Sequence, residues 1–387
     1  MSEPAADHHL QAIVDAIRGR YGAEGPIPLH APVFGGREQD YLRECIDSTF
    51  VSSVGPFVDR FEQMMCDLTG SAAAVAVVNG TAALHMCLVL ADVEPGDEVV
   101  TQPLTFVATC NAIAHQHAFP AFVDVDANTL GMSPEALRHF LQTYGERVPD
   151  GVRTRQTGRR IPAVMPMHVF GFPLQIEEIA EICAEWNLPL VEDAAESLGS
   201  WVGERHTGRF GRVGGFSFNG NKTVTSGGGG CIITDDPELG RRAKHLTTTA
   251  KRPHKWEFYH DEVAWNYRMP NLNAALACAQ LEQLDHFLAD KRETAFHYAA
   301  EMRRLNVPFI TERAGTRANH WLNTIVLADR AERDRFLELS NSQDVMTRPV
   351  WVLMHKLPAF AGAFRDALPN AEFLEDRLVN IPSSVIG

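Results

Sequence analysis

From residue 75 onward the chain repeats one pattern: a short apolar run, a turn, then a helical stretch. The runs VAVV (75–78), EVVTQ (98–102), AFVDVD (121–126), IPAVMPMHVFG (161–171) and LPLVED (188–193) are apolar along most of their length, without polar alternation. Strands of that kind are buried on both faces, which points to a largely parallel sheet between two layers of helices. The stretches 82–93, 133–144 and 174–187 have helical character and supply the cover, the second with proline in its first turn. GGFSFN (214–219) and GCIITDD (230–236) read as further strands, and the polar, arginine-rich 146–160 as an exposed loop. In such sheets ligands bind at the carboxyl ends of the strands. Gly80-Thr81, Thr105-Phe106, His168, Asp193 and Ser217 gather there.

Upstream, Leu10, Ile13, Val14 and Ile17 recur at helical spacing, and Tyr21 to Pro32 is a linker rich in glycine and proline. Glu38 to Ser48 reads as a helix, and a Gly-Pro turn at 55–56 opens an amphipathic one. Beyond Pro270 more than thirty residues are strongly helical, followed by a strand at 323–329, a helix at 332–341 and a strand at 347–353. These changes divide the chain into an N-terminal helix (1–24), a large domain (25–269) and a small C-terminal α/β domain (270–387). A length of 387 residues suits that division.

The net charge is -14, and no Lys/Arg cluster offers a footprint for a phosphate backbone, so nucleic acid is not an expected partner. No apolar run approaches the ~18 residues of a membrane span. The seven cysteines are odd in number and widely spaced, as expected of reduced thiols in a cytoplasmic protein. No CxxC or HExxH pattern suggests a metal site. The opening MSEPAADHHL is too acidic and polar for a signal peptide.

Lys222 is the first lysine in the chain; the residues before it use arginine throughout. An amine can lose its proton and attack a carbonyl, whereas a guanidinium cannot. Lys222 lies in FSFNGNKTVTSGGGG among small and polar residues, downstream of a hydrophobic strand ending in Asp193. A lone lysine and a buried strand-end carboxylate are parts that a pyridoxal phosphate site requires. A solvated lysine before a glycine turn is the alternative. Asn79-Gly80-Thr81 ends a strand and opens a helix, where free amides and the helix dipole attract an anion; by itself the motif fits a plain strand-turn-helix connection better. Asp193 can pair with a pyridine nitrogen or cap a helix. Phe106 can lie over a cofactor ring or belong to the core. His168 is read as a structural, hydrogen-bonded residue.

Taken in order, NGTAAL, TFVATCNAI, PMHVFG, VEDAAES, FSFNGNK and WNYRMPNLNAA resemble the DegT/DnrJ-type sugar aminotransferases. The resemblance runs from about Pro28 to the C-terminus. It implies the type I, aspartate-aminotransferase fold: a large domain with a mostly parallel sheet and a smaller α/β domain. It also implies pyridoxal 5'-phosphate as cofactor and a homodimer with shared active sites. On this resemblance Lys222 matches the Schiff-base lysine and Asp193 the partner of the pyridine nitrogen. Gly80, Thr81 and Ser217 match phosphate contacts, and Phe106 matches the stacking aromatic. Asn266 matches an asparagine that reaches the phosphate of the neighbouring subunit. Glu196 stands where many relatives have Gln or His beside the cofactor hydroxyl, and Gly228 or Gly229 where many have glutamate. RPVWVLMHKLPAF and IPLHAPVFGG resemble the subgroup that aminates C4 of 4-keto-6-deoxy sugars carried on UDP or GDP, with glutamate as donor, in cell-surface glycan biosynthesis. His320 and Arg348 are candidates for the substrate lining. The competing readings are a non-catalytic, ligand-binding regulatory relative and a pyridoxal phosphate enzyme of other chemistry, such as C3 amination or dehydration.

Overall fold

The computed structural model describes residues 3–22 and 25–386. Three helices open the chain: α1 (Glu3–Tyr21), α2 (Glu38–Asp47) and α3 (Pro56–Thr69). The alternation follows: β1 (Ala73–Val77), α4 (Gly80–Leu90), β2 (Glu98–Thr101), α5 (Val107–His115), β3 (Phe119–Phe122) and α6 (Pro134–Tyr144). A hairpin of β4 (Gly145–Val148) and β5 (Gly151–Thr154) precedes α7 (Ile176–Trp186) and β6 (Val191–Asp193). A smaller hairpin, β7 (Trp201–Val202) and β8 (Arg205–His206), leads into β9 (Val213–Ser217), β10 (Gly230–Thr234) and α8 (Pro237–Thr247). The remainder holds α9 (Asn271–Leu281), α10 (Leu284–Leu305), β11 (Thr316–Arg317), β12 (Asn323–Val326), α11 (Arg330–Ser342), β13 (Arg348–Pro349), α12 (Pro369–Glu375) and β14 (Leu378–Ile381).

The central sheet runs β1-β10-β9-β6. β6 and β9 are parallel. Bridges from Val164 to Leu190 and Val100, and from Met167 to Asp193, carry the parallel arrangement across to β2 and β3. β10 is the exception, antiparallel to β1 and β9. The loop from β9 to β10 contains no helix to return the chain, and parallel neighbours need such a crossover.

Four sequence expectations change in the structure. The segment 161–171 forms bridges but no continuous ladder, because Pro162 and Pro166 have no amide hydrogen to donate. Residues 146–160 form most of the β4–β5 hairpin, not a loop, with Arg147 opposite Val152. The long helical stretch after Pro270 is two helices, interrupted at Glu282–Gln283. The expected strand at 347–353 shrinks to Arg348–Pro349, paired with β14.

The two faces of the sheet are covered as the apolar strands require. Ala74, Ala76, Phe216, Cys231 and Ile233 face a core with residues of α2, α3 and α9. Their alternates Val75, Val77, Val213 and Ile232 face α4 and α8. Each fully buried Val, Ile or Phe among them contributes ~1.5–3 kcal/mol. In α1, Leu10, Ile13, Val14 and Ile17 pack with Tyr298, Met302, Phe336 and Val379 of the C-terminal elements. The cysteines are unpaired, and all but Cys66 are buried.

His206 lies at the end of the β7–β8 hairpin with 0% exposure. Its Nδ1 donates to the Thr207 carbonyl at 2.6 Å, and its Nε2 accepts from the Gly199 amide at 2.8 Å. Burial pushes its pKa down to about 4. A depressed histidine pKa contributes stability that is complete above about 6.5 and lost as pH falls towards the folded value. For His206 the loss is of the order of 3 kcal/mol. Nuclear magnetic resonance should show its ring neutral at about pH 5 in the folded protein, where the urea midpoint has already fallen. A ring that charges near its ordinary 6.5 would contradict this.

Candidate active site

A cavity of about 310 Å³ opens at the carboxyl ends of the strands. The structure brings seven of the residues singled out from sequence into its lining: Gly80, Thr81, Phe106, Asp193, Glu196, Ser217 and Lys222.

The turn after β1 begins α4. Asn79 caps it, its Oδ1 accepting from the Ala82 amide at 2.8 Å. The first amides of a helix have no partner within it and carry the positive end of the dipole. Gly80 lets the helix start approach Ser217 closely: a Cβ there would stand 2.7 Å from Ser217 Cβ and 3.0 Å from its hydroxyl oxygen. That is a cradle for a phosphate between a helix start and a serine.

Asp193 ends β6 with 2% exposure. Its Oδ1 accepts from the Ala195 amide at 3.1 Å and its Oδ2 from the Thr109 hydroxyl at 2.7 Å. Thr109 therefore receives its own bond from Thr105, at 2.6 Å, because an ionised carboxylate only accepts. Burial raises the Asp193 pKa; the Thr109 and Ala195 bonds, and the positive charge of Lys222, act the other way. A buried carboxylate with neutral donors on it is a fitting partner for a cationic ring nitrogen. The donor set thus suits pyridoxal phosphate at both ends, phosphate and ring.

Lys222 Nζ lies 3.1 Å from Glu196 Oε1 and 3.8 Å from the centre of the Trp321 ring. Glu196 Oε2 accepts from the Phe170 amide at 2.9 Å. Burial pushes the Glu196 carboxyl up to about 7, against the pull of Lys222. Trp321 Nε1 donates to the carbonyl of Asn221 at 2.7 Å, so it holds the residue preceding the lysine. Phe106 is half exposed, 6.1 Å from the Trp351 ring.

The other candidates lie elsewhere. Asn266 is exposed and accepts from Arg268 Nε at 2.8 Å. His320 is a correction: it is buried, edge-on to Phe172, and does not line the cavity. Its neighbour Trp321 takes that place. Arg348 lines an adjoining cavity of about 500 Å³ that shares Asn221, Trp321 and Trp351 with the first. His168 is fully buried against Glu192 at 3.0 Å, a structural histidine.

Sequence reasoning missed Thr109, Trp321 and Trp351. Thr105 and Thr109 stand four residues apart at a helix start, a spacing that puts both hydroxyls on one face and could have flagged Thr109. Trp321 had no such signal.

Residues 33–385 match the DegT/DnrJ/EryC1/StrS aminotransferase family. The chain belongs to this family. The aminotransferase is 35% identical over 357 residues to the GDP-perosamine synthase of Escherichia coli O157:H7, covering 92% of this chain and 93% of the relative. It is 34% identical over 360 residues to that of Vibrio cholerae, covering 92% and 94%. Among solved structures it resembles the aminotransferase TlmJ from Streptoalloteichus hindustanus, with a TM-score of 0.84, 29% identity and coverage of 93% and 94%. The aminotransferase has the type I fold of these enzymes and depends on pyridoxal phosphate. Among the described residues no helix is long and apolar enough to cross a membrane.

Replacing Gly80 by alanine should raise the dissociation constant for pyridoxal phosphate by about tenfold or more, the equivalent of ~1.4 kcal/mol. The melting temperature of the cofactor-free protein should stay within a few degrees of wild type. Fluorescence titration checks the first and calorimetry the second; unchanged cofactor affinity would contradict the cradle.

Proposed function

We propose that this aminotransferase converts a nucleotide-linked 4-keto-6-deoxyhexose, carried on UDP or GDP, to the 4-amino sugar with glutamate as donor. The observation that supports this reading is the cavity itself, whose lining includes the Lys222 amine, the buried Asp193 carboxylate and the Gly80–Thr81 turn. Relatives named GDP-perosamine synthase support a nucleotide-linked sugar as the substrate class.

When bound, pyridoxal phosphate supplies an electron-withdrawing ring that takes up the electron pair left by a broken C–H bond. Asp193 would hold the ring nitrogen in its charged form, since a carboxylate favours a cation most where water is scarce. The amides opening α4, with Thr81 and Ser217, would hold the phosphate. Phe106 would cover the ring face, and Glu196 would stand at the ring hydroxyl. Lys222 Nζ would hold the cofactor at its carbonyl carbon and would carry the proton at the carbon that exchanges nitrogen. Arg348, in the adjoining cavity, offers a positive charge to the anionic nucleotide. Asn266, exposed on one subunit, would reach the phosphate of a second, giving a homodimer with shared sites.

A panel of UDP- and GDP-linked keto sugars with glutamate, read by mass spectrometry, tests the substrate. A sugar product that gains nitrogen is expected, with parallel lines in double-reciprocal plots. Acceptance of free 2-oxo acids alone would overturn the reading. Lys222→Ala should abolish turnover, and Asp193→Asn should lower it by about a hundredfold or more while the fold is retained. Near-normal rates in the Asp193 variant would remove its role. Mixed dimers of Lys222→Ala with an inactive Asn266 variant should recover activity. Proven mixed dimers without recovery would argue against shared sites.

A further inference from the structure

We infer that Glu196 is the acid–base partner of Lys222: it takes the proton that the lysine sheds to become a nucleophile, and returns it when the amine must be charged again. Glu196 Oε1 lies 3.1 Å from Nζ, within direct transfer distance. Its other oxygen is occupied by the Phe170 amide at 2.9 Å, which fixes the carboxyl and leaves Oε1 for the lysine. Asn319 Nδ2 donates to the Glu196 carbonyl at 2.8 Å and so anchors its backbone. On its other side Nζ meets the Trp321 ring at 3.8 Å, which can hold an ammonium but cannot accept its proton.

The surroundings let the proton move. The Glu196 side chain is 1% exposed and that of Lys222 12%, so the charged pair has little water to favour it over the neutral pair. The charged groups around the carboxyl are Lys222, from the loop after β9, and Asp193, three residues earlier on its own segment. His30, from the N-terminal segment, is felt by Lys222 but held well below the usual histidine range by burial, so it is uncharged. Lys291 is the other positive charge that acts on His30. Burial raises the carboxyl most and repulsion by Asp193 adds a little, against Lys222 and the Phe170 amide, which places it at about 7.

In the step, an Nζ–H bond breaks and leaves its electron pair on nitrogen while an Oε1–H bond forms. The ammonium becomes an amine, and the carboxylate becomes a carboxylic acid. No other reagent is needed. A glutamine has one acceptor oxygen: it can keep the Phe170 bond, but its NH2 can only donate towards Nζ and cannot take the proton. The inference rests on Lys222 as the reacting amine and holds for any ketone.

The test compares wild type with Glu196→Gln and Glu196→Asp. In the cofactor-free proteins, acetic anhydride labelling of Lys222 is followed against pH by peptide mass spectrometry. A carboxylate stabilises the ammonium, so the labelling midpoint should fall by about one pH unit or more in Glu196→Gln and by less in Glu196→Asp. Infrared spectra should show a protonated carboxyl band growing as wild type passes through about pH 7, and missing in Glu196→Gln. At about pH 7 kcat of the holoenzyme should drop by about a hundredfold in Glu196→Gln, with KM changed far less. Identical labelling midpoints, or a carboxyl that stays ionised down to about pH 5, would overturn the inference. Borohydride fixation of the cofactor in wild type tests the lysine separately: a label on a peptide other than that of Lys222 rejects the lysine, not its partner.

Discussion

Placing Asp193 at the end of β6 costs several kcal/mol of desolvation unless donors and a counter-charge meet the carboxylate. Much of what surrounds β6 answers that cost. The strand beneath it is buried on both faces, so Asp193 has almost no water. α5 brings Thr109 to it, and Thr105 orients Thr109. The turn after it supplies the Ala195 amide. These are neutral donors. They lower the cost without removing it, and a cationic ring nitrogen would complete the balance. The same lack of water raises Glu196, and it makes a carboxyl and an amine at 3.1 Å a plausible proton pair in chemistry, not only an ion pair in geometry.

The lysine side of the cavity is built differently, by residues far away in the chain. Asn319 donates to the carbonyls of Glu196 and Leu198, and its Oδ1 accepts from the Trp321 amide. Trp321 in turn reaches the loop that carries Lys222. Behind it, Lys291 is fully buried and donates to the carbonyls of Trp321 and Ser383 at 3.3 and 2.6 Å. Burial lowers its pKa to about 7. It is thus a lysine used for its hydrogen bonds, whereas Lys222 lines the cavity. The C-terminal elements therefore shape the site as well as cover it.

How far each part was legible in the sequence follows from the range of the forces that set it. The β1–α4, β2–α5 and α7–β6 alternation showed through because doubly buried strands must be apolar throughout, a property each run carries by itself. The hairpin at 145–154 was hidden because its strands are polar and stand at the surface, where pattern is weak. The direction of β10 was hidden because an apolar strand reads the same in either sense, and its connection alone decides.

For the site, a strand end before a helix, a lone amine and a carboxylate after an apolar run are local features, and the chain alone made Gly80, Asp193, Ser217 and Lys222 candidates. Local sequence carries no information about which side chains from distant segments meet in space. Only the tertiary structure turned Thr109 towards Asp193, set Trp321 under Lys222 in place of His320, and put Glu196 within reach of Nζ. Those three contacts join residues up to about a hundred positions apart in the chain, and burial there, not residue type, sets the charge each group can carry.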